Sequence, residues 1–124
     1  MIKRIVIPPY DGYNVSTFII NNDTVYIGHF GGSKNLNDEI LSTIEEQMAQ
    51  TLENLNKALM KINLGLEDVV KLTVILRNIK DFSKMHNVWE KYFIKDFYPI
   101  RTTITSDFVD DYCLVQIEGI ACYG

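Results

Sequence analysis

The sequence predicts an α+β two-layer sandwich in which a mixed sheet carries two helices on one face, with element order β-β-β-α-β-α-β-β. Three observations lead there. Two stretches repeat apolar residues at spacings of three and four, six shorter runs are alternating or β-branched, and 124 residues make one domain, residues 1–124, with no room for a second.

Ile2 to Ile7 and Phe18 to Ile20 read as strands separated by the turn residues Pro8, Pro9, Asp11 and Gly12, and Asn21-Asn22-Asp23 turns the chain into a third strand, Thr24 to Phe30. Leu41, Ile44, Met48, Leu52, Leu55, Leu59 and Ile62 then mark one stripe of a long amphipathic helix. Asn37 or Asp38 is placed to cap its start, and Gly65 to take the left-handed conformation beyond its end. Val69 to Leu76 is a β-branched run that follows a helix, as a buried strand does after a crossover. Asp81 to Lys95 presents Phe82, Met85, Val88, Trp89, Tyr92 and Phe93 on one stripe, and Pro99 stops this second helix from continuing. Arg101 to Thr105 and Cys113 to Tyr123 close the sheet across a polar turn. Helices on one face leave the other bare, and the alternation of Val25, Ile27, Val74, Leu76, Leu114 and Ile120 is expected to bury that face against further copies of the chain.

Chemistry concentrates in the last third. Arg101 heads a strand-like run, where a guanidinium is costly to desolvate unless it meets a carboxylate or another planar anion. Glu118 has apolar or small neighbours and no basic residue nearby in sequence, so burial is expected to raise its pKa and suit it to proton transfer. An anion-binding Arg and a tunable carboxyl point to a small carboxylated ligand, although the same two residues could form a structural ion pair. Thr102, Thr103 and Thr105 are β-branched strand residues, and the Thr103 hydroxyl can face a cleft.

Composition narrows the field. A net charge of −4 with scattered Lys and Arg argues against a nucleic-acid surface. There is no secretory h-region and no apolar run long enough to span a bilayer, and Cys113 and Cys122 read as reduced thiols, which together fit the cytoplasm. His29 and His86 have no third partner at a metal-site spacing, and Asp107, Asp110 and Asp111 read as a polar turn, so no metal is expected.

The string IEEQMAQTLENLNKALMKINLGLEDVVKLTVIL, the Met-x-x-Val-aromatic helix, the Pro-x-Arg strand and the closing Ile-Glu-Gly-Ile resemble the reactive intermediate deaminase family, also called Rid, YjgF or L-PSP endoribonuclease. The resemblance runs from Gly12-Tyr13 to Ala121. It implies a chorismate-mutase-like fold, a homotrimer with ligand clefts between subunits, and no metal or organic cofactor. It also implies hydrolysis of enamines and imines to 2-oxo acids and ammonia, with Arg101 holding the substrate carboxylate and Glu118 orienting or deprotonating water. Tyr13 would close the cleft, and the backbone around Gly28 would pass near the ligand. Four polar positions of that pattern differ here: Ile27 replaces Ser, His29 replaces Gln, His86 replaces Asn on the second helix, and Thr103 replaces Cys. Those changes leave open a non-catalytic carboxylate sensor. The ribonuclease activity in the older family name ranks last, because an acidic chain lacks a basic, aromatic-studded groove.

Overall fold

The computed structural model describes residues 2–124. One six-stranded sheet comprises β1 (Ile2–Ile5), β2 (Phe18–Asn21), β3 (Thr24–Gly31), β4 (Val69–Leu76), β5 (Ile100–Thr105) and β6 (Val115–Cys122). Its helices are α1 (Ile44–Met60) and α2 (Phe82–Tyr92), so the element order is the one expected. Across the sheet the strands run β1-β2-β3-β6-β4-β5, with every pairing antiparallel except β4 with β5. The β4-α2-β5 crossover supplies the parallel pair.

Both helices cover the same face. From α1 they bury Ile44, Met48, Leu52, Leu55 and Leu59, and from α2 Met85, Val88 and Trp89. Beneath them lie Val25, Ile27, Phe30, Leu72, Val74, Leu76, Val115 and Ile117. Four of these, Val25, Ile27, Val74 and Leu76, were expected on the bare face; the period of two separates two faces without saying which one meets the helices. The bare face instead carries Tyr26, Lys71, Thr73, Ile75, Ile100, Thr102, Ile104, Gln116, Glu118 and Ile120, which follow from the ladder register. It is amphipathic rather than uniformly apolar.

The helix ends also differ from expectation for identifiable reasons. The Asn35 side chain accepts from the backbone N–H groups of Asn37 and Glu39, and Asp38 takes a φ of 63°, so these polar residues build a tight turn and do not cap α1. The cap is Thr43, whose Oγ1 accepts from the Glu46 N–H at 3.2 Å and donates to Glu46 Oε1 at 2.9 Å. At the other end Asn63, φ 65°, takes the left-handed conformation expected of Gly65, and the Leu64 N–H returns to the Leu59 carbonyl. α2 ends at Tyr92, where Phe93 turns extended and sets its ring in the core 4.4 Å from that of Trp89, the two planes tilted by 43°.

One buried polar side chain ties three segments together. Gln47 Nε2 donates to the carbonyls of Leu41 and Tyr112, each at 2.8 Å, and its Oε1 accepts from the Leu114 N–H at 2.8 Å. It thereby joins α1 to its own approach loop and to the segment entering β6. Gln47→Ala strands those three backbone groups in a water-poor site, with an expected loss of about 3 kcal/mol in urea unfolding. A loss below about 1 kcal/mol would mean that water reaches the gap.

Candidate functional site

On α2, Phe82, His86, Trp89 and Glu90 recur at helical spacing along one flank, and all but Glu90 touch Arg101. Arg101 reaches them because it pairs with Leu72 in the ladder and so projects toward the helical layer, while β5 is an edge strand that leaves the side chain room. The central guanidinium carbon lies 4.8 Å from the centroid of the Trp89 ring and 5.3 Å from that of Phe82, within the range of cation–π attraction. The ring of Phe82 in turn stacks on that of His86, with an interplanar angle of 6°.

Arg101 Nη1 lies 3.0 Å from His86 Nδ1, and His86 Nε2 lies 2.8 Å from Glu90 Oε1. A guanidinium has no acceptor, so Nδ1 must offer its lone pair and the imidazole proton must reside on Nε2, where it is donated to Glu90. Together the three side chains form a directional chain: cation, neutral ring, carboxylate. Partial burial lowers the Arg101 pKa from its ordinary value. Nevertheless, no carboxylate meets it directly among the described residues. Its remaining donors border an open cleft of about 370 Å³ lined by His86, Trp89, Glu90, Tyr98, Pro99 and Arg101.

The other expected site residues lie elsewhere in the chain. Glu118 is exposed rather than buried, and its ladder partner Thr73 puts it on the bare face, opposite to Arg101. With β4 between their strands as well, the two cannot form the ion pair considered from sequence. Lys71, diagonal to Glu118 on the same face, is a basic neighbour that sequence distance concealed. Next to Glu118, Gly119 is required by packing, since a Cβ there would collide with the Lys71 carbonyl. Thr103 is half-buried on the helical side of β5 but does not line the cleft.

Tyr13, Ile27, Gly28 and His29 belong to the opposite half of the sheet. Tyr13 is 70% exposed after a short 3-10 turn, and Ile27 lies in the core, not in a cleft. A Cβ on Gly28 would come within 3.0 Å of the Ser16 carbonyl, so the backbone there is tightly held. His29 lies where β3 departs from regular pairing with β6; the residue as a whole reaches solvent, while its ring is partly enclosed, 6.1 Å from that of Tyr10. A single chain therefore unites only Arg101 and His86 of the expected set. Sequence reading missed Tyr98 and Glu90 as cleft residues and took Phe82 and Trp89 for plain core; the spacing of His86 and Glu90 by four was the available signal.

The sequence model of the family described as Endoribonuclease L-PSP matches residues 6–123. The chain belongs to that family. A RutC family protein of Pyrococcus horikoshii is 36% identical over 78 residues, 63% of this chain and only 61% of that relative. A human protein named 2-iminobutanoate/2-iminopropanoate deaminase is 26% identical over 110 residues, covering 88% of this chain and 80% of its own length. Among solved structures, a putative endoribonuclease L-PSP from Entamoeba histolytica superposes with a TM-score of 0.86 at 28% identity, over 99% of this chain and 100% of that one. Among the described residues no three potential metal-ligating side chains converge, and no helix is long and apolar enough to cross a membrane.

Partial burial lowers the His29 pKa below 6.5. As pH falls through about 6.5 the unfolded chain takes up that proton before the folded one, so stability drops with acidification over the interval down to the folded value. His29→Gln should flatten the melting temperature measured between about pH 7.5 and about pH 5.5 relative to the parent. Parallel curves for the two proteins would exclude His29 as a contributor.

Proposed function

We propose that this protein hydrolyses small 2-imino acids to 2-oxo acids and ammonia, with Arg101 as the carboxylate holder. The supporting observation is a guanidinium fixed by a neutral ring and two aromatic faces but by no carboxylate contact of its own, at the edge of a cleft. Its free edge can receive a substrate carboxylate through two parallel hydrogen bonds. Water then adds to the imine carbon, the nitrogen gains protons, and the tetrahedral adduct collapses to the ketone as ammonia leaves. A carboxylate that accepts the water proton and later returns one to nitrogen accelerates both halves by about 100-fold or more. Glu118 is the proposed group. The name of the human relative supports the reaction class.

Glu118 and Arg101 face opposite sides of the sheet in one chain, so the proposed centre combines residues of different copies in a homotrimer, with Tyr13 and the Gly28–His29 backbone contributed across the seam. Exposed Ile100, Ile104 and Tyr26 support burial of the bare face in that assembly. Cys113 and Cys122 are unpaired, which suits the proposed cytoplasmic setting.

Light scattering should return three times the 14.3 kDa chain mass. With freshly generated 2-iminobutanoate, ammonia release should exceed the spontaneous rate, and Arg101→Ala should reduce the gain by about 100-fold or more. Failure to accelerate any member of a panel of 2-imino acids would defeat the proposal. The separation of Glu118 from Arg101 favours a second reading, a carboxylate sensor without turnover. In that case 2-oxo acids raise the melting temperature of the parent and of Glu118→Gln, but not of Arg101→Ala, while no ammonia is released.

A further inference from the structure

The Arg101 cleft has a second charged end that the carboxylate role leaves unused. Glu90 lines the same cleft as Arg101 and is tied to it through opposite nitrogens of one imidazole. Only Oε1 of Glu90 is engaged, by His86, and its side chain is 59% exposed. Because Arg101 forces the neutral tautomer on His86, the array of Arg101, His86 and Glu90 carries no net charge. A plain carboxylate entering it would leave an uncompensated negative charge facing Glu90, at a Coulombic disadvantage in a partly desolvated cleft. A ligand that brings a carboxylate and a protonated nitrogen together leaves this three-residue array neutral and satisfies both of its ends.

We propose that Glu90 is the nitrogen-reading group of this cleft, and that its ligands are small zwitterionic acids with the nitrogen on the carbon next to the carboxylate. The α-iminium form of a 2-imino acid and an α-amino acid both qualify. This rests on Arg101 holding the carboxylate, as proposed above. Spacing limits the class. The contacts of 3.0 Å and 2.8 Å on opposite nitrogens of the imidazole set Arg101 Nη1 and Glu90 Oε1 roughly 8 Å apart, and two hydrogen bonds of about 2.8 Å plus the about 3 Å from carboxylate oxygen to α-nitrogen bridge that gap in a slightly bent path. An amine carried several carbons further along overshoots it. For the proposed hydrolysis the consequence is discrimination in the useful direction: the iminium substrate is held at both ends, and the 2-oxo acid product at one.

Glu90 could instead serve only to orient His86. Glu90→Gln separates the two roles, because its amide oxygen still accepts from His86 Nε2 while the charge is gone. The probes are 2-aminobutanoate, 2-oxobutanoate and propylamine, titrated by NMR chemical shift at neutral pH against the parent, Glu90→Gln and Arg101→Ala. In the parent the amino acid should bind about tenfold more tightly than the oxo acid, with the amine weakest. Glu90→Gln should erase that preference without weakening the oxo acid, and Arg101→Ala should lose both acids. Equal affinities in the parent, or a preference that survives Glu90→Gln, overturn the inference. Arg101-dependent binding of the oxo acid without preference for nitrogen leaves the carboxylate role standing and removes only the role of Glu90. No binding of either acid defeats both.

Discussion

The feature on which the site depends is a half-buried positive charge held by groups that do not neutralise it. Arg101 receives the lone pair of a neutral imidazole and the negative faces of Trp89 and Phe82. Such partners fix its direction and offset part of its desolvation, but they leave the in-plane donors facing the cleft uncommitted. A carboxylate forked onto Arg101 would have stabilised it further and closed the site to ligand. Glu90 shows how this is avoided: the acid is present, one ring away, and acts on Arg101 only through the tautomer it helps to fix on His86.

The fold sets that arrangement through α2 and the ladder. Parallel pairing of β4 with β5 gives Arg101 the parity of Leu72, hence the helical side, and the edge position of β5 gives its long side chain access to the flank of α2. The same ladder gives Glu118 the parity of Thr73 and sends it to the bare face. These placements cannot be traded by side-chain rotation, because a strand alternates strictly and β4 separates the two strands. The distribution of the candidate site residues over both faces and both halves of the sheet is thus a property of the topology.

Periodicity carried the architecture: both helices, all six strands and their order could be read from it, since 3.6-residue and two-residue patterns are imposed by burial itself. Boundaries depended on polar chemistry with more than one outcome. Asn35, Asn37 and Asp38 have the side chains of a helix cap and used them for a turn, and Asn63 took the backbone conformation that glycine adopts more easily. Arg101 stood out in the sequence because an unpaired guanidinium in a strand is costly whatever surrounds it, and the structure places it at a cleft without a carboxylate partner. Its surroundings were less legible. Phe82 and Trp89 satisfy a core stripe and a cation–π box equally well in sequence, and nothing local announces that Glu118 faces away from Arg101, since face assignment is a long-range result of which strands pair.

The proposed trimer would couple assembly to chemistry on the bare face. In the single chain Glu118 is exposed beside Thr73 and diagonal to Lys71. The same face carries Ile100, 69% exposed, with Ile104, Ile120 and Tyr26, so the apolar surface that favours covering by another copy lies in the rows that flank Glu118. Covering those residues in the proposed assembly would desolvate the carboxylate in the same event, and a subunit seam would give a group from the far half of the sheet a route to the Arg101 edge. In the proposed trimer, part of the free energy of association would go into desolvating an acid, so a separated subunit would keep the Arg101 end of the proposed centre and lose the Glu118 end.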